Sequence, residues 1–268
     1  MKKVLALFLA LAMIFALAAC GKATAPAATE APADEAPATE APATEAPAAE
    51  APAAEEASGV MSYADYVAAD LDSYVTIEAY VQAKQSWWDN KATIYLADAD
   101  GAYLLYDANC SEEDYARLVP GQKLGVQGYK SEWSGEVEIV DASFEILAGD
   151  SYVAAPLDIT AMLGTDELAS HMNQAISVSD AVVADKGDGA AFFYNWDNSG
   201  EDGNSDLYFD IEVNGGVYTF VVRRYLTAPG SEVYEAVKNL KVGDKVDIEG
   251  FLYWYEGPQP HITAIVVK

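Results

Sequence analysis

Two stretches, VPGQKLGVQGYKSEWSGEVEIVDA (residues 119–142) and KVGDKVDIEGFLYWYEGPQPHITA (residues 241–264), are copies of one pattern. Gly121 falls on Gly243, Leu124 and Val126 on Val246 and Ile248, Gly128 on Gly250, and Gly135 on Gly257; Ile139 falls on Ile262 after one inserted residue. Apolar and polar residues alternate at the start of each copy, as in a strand that buries one face. The glycine inside each run marks a place where a sheet curls or another backbone comes close. Each copy follows a short helical stretch that begins with serine, Ser111-Glu112-Glu113-Asp114 and Ser231-Glu232-Val233-Tyr234, with acids in the first turn where the helix dipole favours them.

Further out, Val75, Ile77, Ala79 and Val81 alternate with Thr76, Glu78 and Tyr80, and Leu207, Phe209, Ile211 and Val213 alternate with Tyr208, Asp210 and Glu212. Asn214-Gly215 then supplies the pair of left-handed positions that a tight hairpin needs. Short helices are predicted at Met61–Ala69 and Thr165–Met172, the second with Thr165 as its N-terminal cap. Each half therefore reads strand, strand, strand, helix, strand, strand.

That order, with the helix between the third and fourth strands and a glycine inside the fourth, resembles the OB-fold, a small five-stranded barrel. The expectation is a mainly β protein with two tandem OB-fold-like barrels, the first over residues 58–149 and the second, with a short leading helix, over 150–268. The resemblance implies a ligand face on strands 2 and 3, flanked by the loops joining strands 1–2 and 4–5. In the first half those loops carry Trp87-Trp88-Asp89-Asn90 and Trp133, and strand 3 adds Tyr103 or Tyr106; in the second they carry Trp196 and Trp254-Tyr255. Rings beside carboxylates can stack on a sugar or box a cation. The expected ligand is a glycan, or another neutral or cationic small molecule, on this aromatic rim; the alternative is that the indoles close the barrel ends.

A second candidate is the acidic loop 197–206, where Asp197, Glu201, Asp202 and Asp206 offer hard oxygen ligands on a glycine-containing turn that would suit calcium. It departs from the EF-hand template: the sixth position from Asp197 is Asp202 rather than glycine, and the twelfth is Tyr208 rather than glutamate. Catalysis has little material. His171, His261 and Cys110 stand in no nucleophile signature, and no phosphate-binding glycine loop is present, so no enzyme is expected.

The chain carries 43 Asp and Glu against 15 Lys and Arg, a formal charge of −28. Eight of the acids and three of the bases precede residue 58, which leaves 35 and 12, or −23, for the remainder. A polyanion of that size repels phosphate backbones, so no nucleic-acid partner is expected.

Residues 1–19 read as a signal peptide: a positive start at Lys2-Lys3, then an uncharged run from Val4 to Ala19 too short to span a bilayer. The run ends Leu17-Ala18-Ala19-Cys20-Gly21, which resembles the lipobox of bacterial lipoproteins. The resemblance implies that Cys20 carries a lipid and becomes the anchored N-terminus on the extracytoplasmic face of the cell membrane. Residues 20–57 contain five copies of A-P-A-x-E between Ala31 and Glu55. Proline every five residues, with nothing large to bury, predicts a disordered tether of polyproline II character. At about 3.1 Å per residue, residues 22–57 reach roughly 110 Å when extended. The whole resembles the acidic surface lipoproteins of gut-type Gram-positive bacteria. The functional expectation is a membrane-anchored, non-catalytic binding protein. Its alternatives are a structural or protein–protein module of the cell envelope, and an enzyme acting on envelope material.

Overall fold

The computed structural model describes residues 59–268; the predicted leader, lipidation site and tether lie outside them. The first barrel is built from β1 (Tyr74–Lys84), β2 (Lys91–Ala97), β3 (Ala102–Asn109), β4 (Lys123–Trp133) and β5 (Glu136–Ile146). Its strands close in the order β1-β2-β3-β5-β4, with β1 paired to β4, the order the OB-fold requires. Helix α1 (Tyr63–Ala68) precedes the barrel, capped by Ser62, and α2 (Glu112–Arg117), capped by Ser111, joins β3 to β4.

The second barrel repeats the plan. After β6 (Leu157–Asp158) come β7 (Ala175–Val183), β8 (Phe192–Tyr194), β9 (Leu207–Val213), β10 (Gly216–Val222), helix α3 (Glu232–Lys238), β11 (Lys245–Phe251) and β12 (His261–Val267). The sheet order β6-β7-β11-β12-β10-β9-β8 is closed by pairing between β7 and β9. The predicted helix at Thr165–Met172 is a 3-10 turn over Asp166–His171, and Thr165 does not cap it: its hydroxyl donates to the Met162 carbonyl instead.

Gly128 and Gly250 behave as the duplicated pattern requires. Each sits at a register shift between the fourth and fifth strands of its barrel. A Cβ on Gly128 would lie 2.7 Å from Ile139 Cγ2 and 2.9 Å from the Val140 carbonyl oxygen; on Gly250 it would lie 2.8 Å from Ile262 Cα and overlap the His261 carbonyl oxygen. The strands can cross that closely only where no side chain intervenes.

The alternation seen in sequence fills each barrel. Val75, Ile77, Ala79, Val81, Ile94, Leu105, Leu124, Val126 and Ile139 form one core; Ile176, Val178, Phe209, Ile211, Phe220, Val246, Ile248 and Ile262 form much of the other. Strand β2 departs from simple alternation because almost all of it is buried. Ala92, Ile94 and Leu96 face its own barrel, while Tyr95 on the opposite face packs with Leu104 and Phe251 in a third apolar cluster between the barrels. Tyr95 stacks on Phe251 at a centroid distance of 4.4 Å. Backbone bonds tie the barrels as well: Ser86 N–H to the Tyr225 carbonyl at 2.6 Å, and Glu256 N–H to the Ser134 carbonyl at 2.8 Å.

Candidate functional site

The ligand face predicted for the first barrel is largely consumed by this contact: Tyr95 and Leu104, on the outer faces of β2 and β3, are no more than 1 % exposed. What remains open is a cleft of about 610 Å³ where the loops of both barrels meet. Trp133, the last residue of β4, lies against Tyr255 of the β11–β12 loop, the ring centroids 5.2 Å apart and the planes tilted by 42°. Trp196, Tyr106, Tyr208 and Tyr253 complete the aromatic wall, and Arg223 and Glu256 are its charged members. Trp196 is 73 % exposed and Trp133 55 %, so neither ring is spent on a core. A second cavity of about 410 Å³ adjoins the first through Gln85, Thr93, Tyr106 and Arg223, and carries Trp88, Lys91 and Tyr225 at its far end.

The polar floor of the cleft is fixed by pairing. Asp206 is 7 % exposed; its carboxylate accepts from the Arg223 guanidinium and from the backbone N–H of Arg224. His261 is buried, with Nδ1 2.6 Å from the Tyr95 hydroxyl, and its ring stacks on Tyr253 at 4.2 Å. Burial, with the nearby Arg223 charge second, pushes the His261 imidazole down to about 3, while burial pushes the Tyr95 phenol up. Neutral phenol and neutral imidazole thus share one hydrogen bond at Nδ1, whose direction goes with the ring tautomer. His261 enters the cleft as a neutral group.

The predicted rim is therefore assembled only in part. Trp88, Trp133, Trp196 and Tyr255 line the two adjoining cavities. Trp87 does not: its indole N–H donates to the Cys110 carbonyl at 2.8 Å, and the ring packs against the first core. Trp254 packs against the second core and lines a neighbouring depression that meets the cleft at Tyr255, Glu256 and Gln259. Tyr103 is 1 % exposed, bonded to Asp98 and packed edge-on against Tyr63 and Tyr66, away from the cleft. Asp89 is a turn residue with φ of 48°. In each of these pairs of adjacent indoles and of β3 tyrosines, strand alternation or turn geometry sends one ring inward and the other out.

The acids offered for calcium are dispersed. Asp206 is committed to Arg223, Asp202 pairs with Lys238 at 2.8 Å, and Asp197 accepts from the Ser199 N–H within its own turn. Glu201 joins the loop through its backbone, N–H to Ser205 Oγ at 2.9 Å. Among the described residues no three carboxylate, imidazole or thiol groups converge on a common point. Cys110 is a buried free thiol, held up to about 11 mainly by burial, and is inert as a nucleophile. Gln85, Gln259 and Arg223 are not among the expected site residues. The pairing of Arg223 with Asp206, 17 positions away, has no sequence signature.

No protein-family model matches the chain, and no curated protein matches it. Solved structures similar to it include the HINa domain of Ifi202 in complex with 20-bp double-stranded DNA, at 14 % identity and a TM-score of 0.34, covering 73 % of this chain and 98 % of that one. Others are a murine DNA-binding protein bound to double-stranded DNA, at 8 % identity and a TM-score of 0.31, covering 72 % and 97 %, and a replication protein A heterotrimer bound to single-stranded DNA, at 11 % identity and a TM-score of 0.30, covering 73 % and 49 %. Likeness at this level bears on architecture alone.

Two expectations are corrected. Exclusion of nucleic acid rested on net charge, a property of the whole surface. The similar structures in complex with DNA stand against that exclusion, and a sum over the surface does not describe the cleft, whose charged members are Arg223 and Glu256. The glycan or other neutral or cationic ligand on an aromatic rim is corrected on geometry: the rim assembles only in part, because Trp87, Tyr103 and Trp254 pack against the cores, and the open cleft holds an arginine.

Proposed function

We propose that the protein is a lipid-anchored, non-catalytic binding protein whose inter-barrel cleft takes nucleotide units one or two at a time, as a free nucleotide or the end of a single strand. The observation that carries this reading is the convergence of exposed aromatic rings and Arg223 on one cleft of about 610 Å³, a size usual for small-molecule sites. A base stacked on an aromatic side chain gains roughly 1–3 kcal/mol, and every base offers a flat face. Gln85, Gln259, Thr93 and His261 supply donors and acceptors for base edges, and Arg223, which gives Nη1 to Asp206, has further N–H groups to offer a phosphate. The adjoining cavity, with Trp88 and Tyr225, has the composition to stack a second base. Charge limits the length: a globular part at −23 repels a long polyanion, so affinity should stop rising after two units.

The test is a tryptophan-fluorescence titration of the full chain with a mononucleotide, a dinucleotide and a longer oligothymidylate. Saturable quenching is expected, with a shallow salt dependence near that of one phosphate contact, a slope of about −0.7. Trp133→Ala should weaken binding about tenfold or more. No saturable quenching by any of the three, or an unchanged affinity in Trp133→Ala, would reject the reading.

The anchor is proposed on the sequence LAAC at residues 17–20. Cells fed a labelled fatty acid should label the wild-type chain and not Cys20→Ala; an unlabelled wild type would remove the anchor.

A further inference from the structure

Glu136 is an acid with nowhere to put a charge. On β5 it alternates with Val137 and Ile139, which face the first barrel, so its own side chain points outward, yet it is 0 % exposed because the second barrel covers it. Its Oε2 accepts from the Trp254 N–H at 2.7 Å, across the barrel contact. Its Oε1 is buried with no partner.

Asn173, 4 % exposed and just before β7, stands beside it. The Asn173 backbone N–H donates to the Leu252 carbonyl of the second barrel at 2.8 Å, and Nδ2 donates to the Val137 carbonyl of the first at 3.1 Å. That second bond fixes the amide orientation, since turning the amide over would set its oxygen against the Val137 carbonyl. Asn173 Oδ1 is left buried and unpartnered as well, while the amide as a donor pulls the Glu136 carboxyl down. A neutral Glu136 keeps the Trp254 bond and has a hydroxyl hydrogen to offer, whereas an ionised one leaves a charge in a fully buried place with Oε1 unpartnered.

We propose that the proton held on Glu136 latches the two barrels together, and that its loss at alkaline pH puts an uncompensated charge into the barrel contact, which loosens the Trp254–Gly257 loop and with it the aromatic cleft. The titratable groups facing Glu136 from the elements packed around it are Glu138 on β5, Tyr66 on α1, Tyr95 on β2 and Tyr253 after β11. None of these is a cation, so nothing among them favours the carboxylate. Burial accordingly holds Glu136 up to about 8, against the pull of the Trp254 and Asn173 bonds, and holds Glu138 up to about 7.

The sign of the pH effect follows. An unfolded chain releases this proton near the ordinary glutamate value of about 4.3, whereas the folded chain keeps it until about pH 8. Between those limits the folded state binds more protons, so stability is full below the unfolded value, falls as pH rises, and levels off above pH 8.

The experiment is thermal unfolding of the full chain from pH 5 to 9, with infrared spectroscopy of the carboxylic-acid carbonyl band. The wild-type Tm should fall by roughly 5–10 °C over this range. Glu136→Gln, which keeps a neutral group in the place of the acid, should lose much of that slope and be the more stable chain at pH 9. Glu138→Gln should leave a substantial slope. A protonated-carboxyl band present at pH 6 and lost by pH 9 should be reduced in Glu136→Gln. If Glu136→Gln does not fold, the wild-type band and slope decide alone. A flat wild-type profile, no titrating carboxyl band, or a Glu136→Gln chain with the wild-type slope would overturn the proposal. Nucleotide binding is not used in any of these readouts, so the latch stands or falls apart from the ligand.

Discussion

Replacing Gly250 by alanine is expected to cost about 3 kcal/mol of folding stability, toward the upper end of what one added methyl does in a filled core. The methyl would meet backbone rather than a movable side chain: Ile262 Cα at 2.8 Å, and the His261 carbonyl oxygen closer still. Relief requires β11 and β12 to part at the register shift that curls the sheet, and this is also where His261 is held against Tyr95 and Tyr253. The damage should therefore spread from the barrel to the cleft. Gly128→Ala repeats the experiment in the first barrel, where the obstacles include Ile139 Cγ2, a side-chain atom that can rotate, and the effect should be smaller. Gly125→Ala is the control, because its new methyl would meet only the Leu147 side chain at 3.3 Å. Chemical denaturation of the three variants should rank them Gly250, Gly128, Gly125 from most to least destabilised; a Gly250→Ala chain as stable as Gly125→Ala would contradict the role given to that glycine.

The two duplicated glycines were legible because they serve a local demand, the curl of one strand over its neighbour, which repeats wherever the fold repeats. Serine caps at Ser111 and Ser231 were legible for the same reason: the cap and the amide it satisfies are three residues apart. Thr165 carried the same signal and failed. Its turn is 3-10, and its hydroxyl finds the Met162 carbonyl first. What sequence could not convey was the contact between barrels. Tyr95 reads as one more outward residue of an alternating strand, and only the arrival of Phe251 and His261, more than 150 residues later, makes it core. The same blindness misassigned the indoles. Trp87 and Trp88 are identical in a list of loop aromatics, but Trp87 bonds the Cys110 carbonyl whereas Trp88 remains 65 % exposed. Net charge misled in another way: a sum over the surface does not report that the cleft wall carries one arginine and one glutamate.

Lys130→Met is expected to cost about 3 kcal/mol, although the residue sits in the exposed-looking run Tyr129-Lys130-Ser131-Glu132. Lys130 is 7 % exposed, and its ammonium donates to the carbonyls of Tyr66, Val67 and Ala69 at 3.0, 2.9 and 2.7 Å. These carbonyls lie at the C-terminal end of α1, where a helix runs out of its own donors; only that of Tyr66 also takes the Ala69 N–H, at 3.3 Å. An ammonium has three hydrogens to donate, and here all three are used. It also lies where the negative end of the helix dipole favours a cation. Methionine fills the volume and removes every one of these bonds, leaving α1 held by its apolar contacts, chiefly Tyr66 and Tyr63 against Tyr103. Arginine should not restore the loss, because a planar fork does not match three carbonyls arranged around a point. The comparison is Lys123→Met, whose partner Glu78 lies in a half-exposed pair and whose removal should cost less than about 1 kcal/mol. Hydrogen exchange adds the location: in Lys130→Met the amides of α1 should lose protection while those of β7 to β12 keep it. Equal costs for the two lysine variants, or unchanged protection in α1, would show that the ammonium is not what holds the helix to the barrel.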